Sequence, residues 1–83
     1  MITREATFEA ADNITPAFAA ELAHSASQFS ANVYFVRENV KLSVDSLIGI
    51  LSLDLRRGDR LTVRAEGVDE AASIDRICEL LHG

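Results

Sequence analysis

The sequence predicts an α+β fold in which one antiparallel sheet carries helices on one face. Residues 2–10 and 60–66 alternate apolar and polar side chains, as half-buried strands do. Residues 15–29 and 69–81 repeat apolar side chains at helical spacing, and residues 32–45 have the pattern of a hairpin. With a short helix after the hairpin, these segments predict the order βαββαβα.

The first strand leads into the first helix through the segment DNITPAF, residues 12–18. One face of the strand is apolar except at Arg4, so we expect Arg4 near the strand end. Thr15 can cap the N-terminus of the helix, and Pro16 suits the first turn, where a missing N–H costs least. The apolar positions of strand and helix are Ile2, Ala6, Phe8 and Ala10, then Phe18, Ala19, Leu22, Ala23, Ala26 and Phe29.

Turn and capping residues predict the hairpin and the short helix that follows it. Glu38-Asn39 marks a tight turn, because Asn tolerates positive φ. Residues 45–55 are expected to form a short helix or helical turn, which Asp45 or Ser46 can cap.

Glycines bound the last strand. Gly58 turns the chain before it, and Gly67 ends it. The inward positions of this strand are Leu61, Val63 and Ala65, and the predicted buried side of the last helix is Ala71, Ile74, Ile77, Cys78 and Leu81.

Length, charge and cysteine content exclude several classes of function. At 83 residues the chain is expected to be one domain, residues 1–83, with a net charge of −5. Nucleic-acid binding needs a basic face and is therefore not expected. No apolar run approaches the roughly 20 residues of a membrane helix, and no signal-peptide pattern is present, so we expect no membrane association. Cys78 is the only cysteine, which rules out an internal disulfide and fits a reducing cytoplasm.

Neither histidine has the surroundings of a metal ligand. His24 lies in the middle of the first helix, and His82 precedes the C-terminal residue. Neither has a Cys, Asp or second His at metal-ligand spacing. We therefore expect no metal and no cofactor.

Residues 45–72 (DSLIGILSLDLRRGDRLTVRAEGVDEAA) resemble the second half of HPr, the histidine-containing phosphocarrier of the bacterial sugar phosphotransferase system. The matching residues are Ser46, Leu47, Ile48, Gly49, Leu51, Leu53, Gly58, Gly67, Asp69, Glu70 and Ala72. ASQF, residues 26–29, matches the end of that family's first helix, and the resemblance extends over essentially the whole chain. It implies a single HPr-like domain, an open-faced β-sandwich whose four-stranded antiparallel sheet is covered on one side by three helices. A ferredoxin-like arrangement would share the first six elements, but SLIGILSL and the third helix favour HPr.

The resemblance also implies a phosphate site that has been altered in this chain. The family's signature is G-[LI]-H-A-R-P-A, in which the His carries the phosphoryl group and the Arg helps to bind it. The aligned residues are NITPAFA, so Thr15 replaces the His and Ala17 replaces the Arg. A Thr hydroxyl is a poor nucleophile without an adjacent base, so we expect no catalytic residue and no enzymatic activity, with Thr15 acting as a helix cap. His24 is an alternative phosphate carrier, but it lies about 13 Å along the helix from Thr15.

Ser46 matches the family's regulatory serine, which an ATP-dependent kinase phosphorylates. The Crh branch of the family lacks the catalytic His and keeps this Ser, and this chain resembles it in that respect. Asp45 replaces the family's Lys and would repel an added phosphate, whereas the helix N-terminus would attract it. A simple capping role explains Ser46 equally well, so both interpretations stay open.

The resemblance further implies that Leu47, Ile48 and Leu51 form a docking patch beside the first helix, with Phe18 as an added aromatic. Several large apolar groups exposed together on a small domain indicate a partner site. The alternative is that Leu51 and Leu53 belong to the core, and we expect Leu47 and Ile48 to be the exposed pair. The expected partners are proteins of the phosphotransferase system or its regulators, for which this chain would be a regulatory or binding module.

Overall fold

In a computed structural model of the protein, which describes residues 1–83, four strands and three helices follow the predicted order βαββαβα. They are β1 (Ile2–Thr7), α1 (Pro16–Ser27), β2 (Asn32–Arg37), β3 (Val40–Ser43), α2 (Leu47–Ser52), β4 (Arg60–Glu66) and α3 (Glu70–His82). The strands form one antiparallel sheet in the order β1-β4-β2-β3, which confirms the predicted fold class. No helix has the length and apolar character that a membrane crossing requires.

The core lies between the sheet and the three helices. Phe35 of β2 stands opposite Val63 of β4, and both side chains are fully buried. The alternation in β4 works as predicted, since every second side chain of that strand enters the core. The cluster of buried apolar residues consists of Phe8, Ala19, Leu22, Val33, Phe35, Val44, Ile50, Leu55, Leu61, Val63, Ala65, Ile74, Ile77 and Leu81.

Arg4 interrupts the apolar face of β1 without being buried. It pairs with Val63 across the sheet, so its side chain points to the helix-covered face. Its guanidinium donates to Asp75 Oδ1 of α3 at 2.5 Å, and the side chain is about half exposed. The strand tolerates a cation here because β1 is an edge strand, from which a long side chain can reach solvent.

The hairpin turn lies at the predicted place, but a different residue takes the unusual backbone conformation. Glu38 has a φ of 57°, whereas Asn39 was expected to take positive φ. Arg37 pairs with Val40, so the loop has two residues. The register of the strands decides which loop residue needs positive φ, and it overrides the side-chain preference for Asn.

The buried side of α3 differs from the prediction at three positions. Ala71 is exposed and Cys78 is half-buried, whereas Ser73 is fully buried. The Ser73 hydroxyl donates to Glu70 O at 2.9 Å, so its burial leaves no unsatisfied polar group. A Ser whose hydroxyl is hydrogen-bonded within its own helix can be buried in the core. The spacing of apolar residues does not predict such a position.

Asp69 connects two loops at one end of the sheet. Its carboxylate accepts hydrogen bonds from the backbone N–H groups of Ser30, at 2.8 Å, and Ala31, at 2.7 Å. Gly67 lies beside the same loop with a φ of 148°, and a Cβ at this position would stand 2.7 Å from Ala31 Cα. The chain between α1 and β2 is therefore held against the turn between β4 and α3, and only glycine allows this approach.

The Asp69 connection predicts a pH-dependent stability. Hydrogen bonds from the Ser30 and Ala31 N–H groups lower the pKa of Asp69 below its ordinary value of 3.8. A lowered pKa in the folded state means that the carboxylate stabilises the fold above the unfolded pKa. That contribution is lost as the pH falls through the lower, folded pKa. We expect Asp69→Asn to be less stable than the wild type at neutral pH and to lose less stability between about pH 5 and about pH 2.

Urea unfolding midpoints measured across this pH range test the prediction. Glu5→Gln is the matched control, because Glu5 is an exposed carboxylate on β1. Parallel pH curves for the wild type and Asp69→Asn would contradict the assigned role.

Candidate functional site

Thr15 caps α1, as predicted. Its backbone is extended, with φ −120° and ψ 159°, and its Oγ1 accepts a hydrogen bond from the Phe18 N–H at 3.2 Å. Pro16 occupies the first turn, where it leaves no helical hydrogen bond unmade. Thr15, Pro16 and Ala17 are all exposed, so the start of α1 lies at the surface.

The segment before Thr15 pairs with the segment after α2. Asn13 and Arg56 form an isolated antiparallel bridge, and the Ile14 N–H donates to Leu55 O at 2.9 Å. This pairing places the end of α2 beside the start of α1. Sequence reasoning missed it, because no local pattern marks a contact between residues so far apart in the chain.

Two arginines lie in this paired region, and both already have carboxylate partners. Arg56 Nη2 is 3.4 Å from Asp54 Oδ2. Arg57 Nε is 3.2 Å from Asp12 Oδ1, and its Nη1 donates to Glu9 O at 3.1 Å. These contacts fix the loop that precedes Thr15.

The histidines lie apart from Thr15 and from each other. His24 Nε2 is 3.3 Å from Gln28 Nε2 on the exposed side of α1. His82 Nδ1 is 3.1 Å from Glu9 Oε1 at the end of α3. Cys78 is half-buried in α3, and burial raises the pKa of its thiol. No group of three or more His, Cys, Asp or Glu side chains could hold a metal ion.

Ser46 caps α2. Its Oγ accepts a hydrogen bond from the Gly49 N–H at 3.3 Å, and the residue is exposed. A Cβ at Gly49 would stand 2.9 Å from Ser46 Oγ, so glycine at this position leaves room for the cap. Asp45, the other predicted cap, instead accepts a hydrogen bond from the Ser43 hydroxyl at 2.5 Å.

Large apolar side chains of α2 face solvent. Ile48 is 84% exposed and Leu47 is 39% exposed, so the pair expected at the surface is there. Leu51 is half-buried and packs against the core, while Ile50 is fully buried. We call Leu47, Ile48 and Leu51 the α2 patch. Leu47 and Ile48 are accessible to solvent, and Leu51 packs against the core.

Phe18, the fourth residue predicted to dock a partner, points towards the core and α3. Its ring packs edge-on against Phe8, with 5.5 Å between the ring centroids and 63° between the ring planes. It also lines a shallow cavity of about 360 Å³ together with Glu21 of α1 and Leu80 of α3. The structure therefore brings Leu47, Ile48 and Leu51 together on α2 and gives Phe18 a core contact of its own.

Comparisons of the sequence point to one protein family. Residues 2–82 match the family model described as the PTS HPr component phosphorylation site. The chain is 36% identical over 63 residues to the phosphocarrier protein NPr of Shewanella violacea. The aligned region covers 76% of this chain and 69% of NPr. It is 27% identical over 59 residues to the HPr-like protein Crh of Bacillus subtilis. Here the aligned region covers 71% of this chain and 69% of Crh.

Solved structures share the fold over nearly the whole chain. HPr-C-His from Thermoanaerobacter tengcongensis superposes with a TM-score of 0.88 at 27% sequence identity, covering 98% of this chain and 91% of the other. The phosphocarrier protein HPr from Bacillus anthracis superposes with a TM-score of 0.89 at 19% sequence identity, covering 96% of this chain and 95% of the other. The second likeness concerns the fold alone.

The hydrogen bond of Thr15 predicts the stability of two variants. Thr15→Ala removes the acceptor for the Phe18 N–H and should lower the free energy of unfolding by about 1 kcal/mol. Thr15→Ser keeps the hydroxyl and should stay close to the wild type. Urea denaturation of the three proteins measures both effects. An equal loss in Thr15→Ser would assign the stability to the Thr methyl group instead of the cap.

Proposed function

The chain belongs to the HPr family of phosphocarrier proteins of the phosphotransferase system, and we propose that it is a non-catalytic member that regulates or binds other proteins. The observation that carries the proposal is the altered start of α1, where Thr15 and Ala17 stand at the positions of the family's His and Arg. In this proposal the protein is not an enzyme and needs no cofactor.

The chemistry of Thr15 supports this proposal. A phosphocarrier needs a nucleophile whose phosphorylated form readily gives the group away, as a phosphorylated imidazole nitrogen does. A Thr hydroxyl needs an adjacent base to become a nucleophile, and its phosphate ester is stable. The hydroxyl oxygen also accepts the capping hydrogen bond from Phe18, and the nearby Arg56 and Arg57 are paired with Asp54 and Asp12.

The α2 patch supports a binding role. Ile48 projects from a helix of only six residues and is 84% exposed, with Leu47 beside it. Exposed apolar groups of this size on a small domain are typical of a partner site. We propose that proteins of the phosphotransferase system or its regulators dock here in the cytoplasm. Phe18 is left out of this contact, because its ring packs against Phe8 and lines the cavity beside α3. Nucleic acids and membranes have no part in the proposal.

Incubation with phosphoenolpyruvate and the general kinase of the phosphotransferase system tests the loss of phosphocarrier activity. We expect no acid-labile phosphate on the wild-type protein, because the position of the family's nucleophile holds Thr15. Intact-mass measurement at neutral and acidic pH detects such a group. An HPr that carries the family's His, labelled in the same reaction, shows that the kinase is active.

Stoichiometric acid-labile phosphate on this chain would overturn the proposal. In that case His24→Ala and His82→Ala would identify the residue that carries it. Loss of the label in His24→Ala alone would make the protein a phosphocarrier that uses a displaced histidine.

Phosphorylation of Ser46 is a second candidate function, which the similarity to Crh and the position of the serine favour. Ser46 is exposed at the N-terminus of α2, where a phosphate would be stabilised by the first backbone N–H groups. Asp45 opposes the added charge. In this reaction the Ser46 hydroxyl would lose its proton to the kinase's base, its Oγ would take the γ-phosphoryl group of ATP, and ADP would leave.

Treatment with ATP and the HPr serine kinase tests this second candidate. We expect a mass increase of one phosphate in the wild type and in the control Thr15→Ala, and none in Ser46→Ala. A wild type without mass increase, or an increase that survives in Ser46→Ala, would eliminate Ser46 phosphorylation.

A further inference from the structure

The α2 patch lies on a helix without Lys or Arg, and the neighbouring helix α1 has none either, although the chain contains eight of them. The eight are Arg4, Arg37, Lys41, Arg56, Arg57, Arg60, Arg64 and Arg76. Five of these lie on strands, two in the turn after α2 and one on α3.

One exposed carboxylate at the start of α2, that of Asp45, makes the border of the α2 patch acidic. Asp45 is exposed just before the cap, and its carboxylate contacts the Ser43 hydroxyl but no cation. At the other end, Asp54 pairs with Arg56 at 3.4 Å. Arg37 donates to Leu53 O at 3.1 Å and lies 3.5 Å from Asp59, so that end is neutral. The unpaired carboxylate of Asp45 therefore sets the sign of the charge next to Leu47 and Ile48, in a chain whose net charge is −5.

On the premise of the proposed docking function, we propose that the α2 patch binds a protein whose apolar pocket is bordered by Lys or Arg. Ile48 is the side chain that enters the pocket, since it is the most exposed part of the patch. Basic groups at the rim of the pocket approach Asp45 and are attracted by the negative net charge of the whole chain. A pocket with an acidic rim, or an anionic membrane surface, meets like charge at Asp45 and is disfavoured.

A pair of amphipathic helical peptides tests the sign of the partner's charge. Both peptides have about 14 residues and the same leucine face, and the opposite face carries Lys in one and Glu in the other. Titration into the isotope-labelled protein, followed by NMR, shows which backbone amides each peptide perturbs. We expect the Leu/Lys peptide to shift the amide signals of residues 45–53, with an affinity that falls as salt is added. The Leu/Glu peptide should leave these signals unchanged.

Matched variants separate the effect of the Asp45 charge on peptide binding from the effect of the net charge of the chain. Asp45→Lys should weaken binding of the Leu/Lys peptide by about three- to tenfold. Glu5→Lys changes the net charge by the same amount on β1, away from the α2 patch, and should bind like the wild type. Ile48→Asp should abolish binding. Asp45→Asn, a milder change, should give a smaller loss, and circular dichroism verifies that each variant is folded.

The outcomes distinguish this inference from the proposed function. If the Leu/Glu peptide binds as tightly as the Leu/Lys peptide, and Ile48→Asp abolishes both, the basic rim is wrong and the docking surface stands. If Glu5→Lys weakens binding as much as Asp45→Lys, net charge alone accounts for the effect, and the role of Asp45 is wrong. If the Leu/Lys peptide perturbs other residues and is insensitive to Ile48→Asp, the docking surface itself is wrong.

Discussion

The antiparallel pairing of residues 12–14 with residues 55–57 decides where the candidate residues of this protein lie. It joins the start of α1 to the end of α2, so Thr15 and the α2 patch belong to two helices held together at their ends. Leu55, whose carbonyl oxygen accepts the Ile14 N–H, is fully buried and anchors this pairing in the core. At the surface, the Arg57 guanidinium and the Asp12 carboxylate reinforce it.

This arrangement separates the stability of the fold from phosphoryl chemistry. A helix start needs a short side chain with an oxygen that accepts a backbone N–H, and Thr15 and Ser46 both meet that need. A phosphocarrier needs a good nucleophile and a free cation at the same place, and these demands are independent of capping. Mutation can therefore replace the reactive residues while the helices, the core and the α2 patch remain in position.

The sequence predicted the elements whose signals are local. The boundaries of β4 were predicted to the residue, because the alternation from Arg60 to Glu66 ends at a glycine. Contacts between distant residues could not be predicted in this way. Asp69 holds a loop 39 residues away, and Arg57 holds one 45 residues away, through side-chain hydrogen bonds that leave no periodic pattern. The direction of Phe18 also has no local signal, since it depends on how α1 packs against Phe8 and α3.

The two proposals that concern α2 act through the same electrostatics. Ser46 lies between Asp45 and Leu47, so a phosphate on its hydroxyl would add negative charge at the border of the α2 patch. A partner with a basic rim would then be held more tightly, because its Lys and Arg side chains would meet two anionic groups where there had been one. A partner with an acidic rim would be repelled by the same change. Phosphorylation at this position would therefore select among partners by charge, while the apolar contact made by Ile48 stays the same.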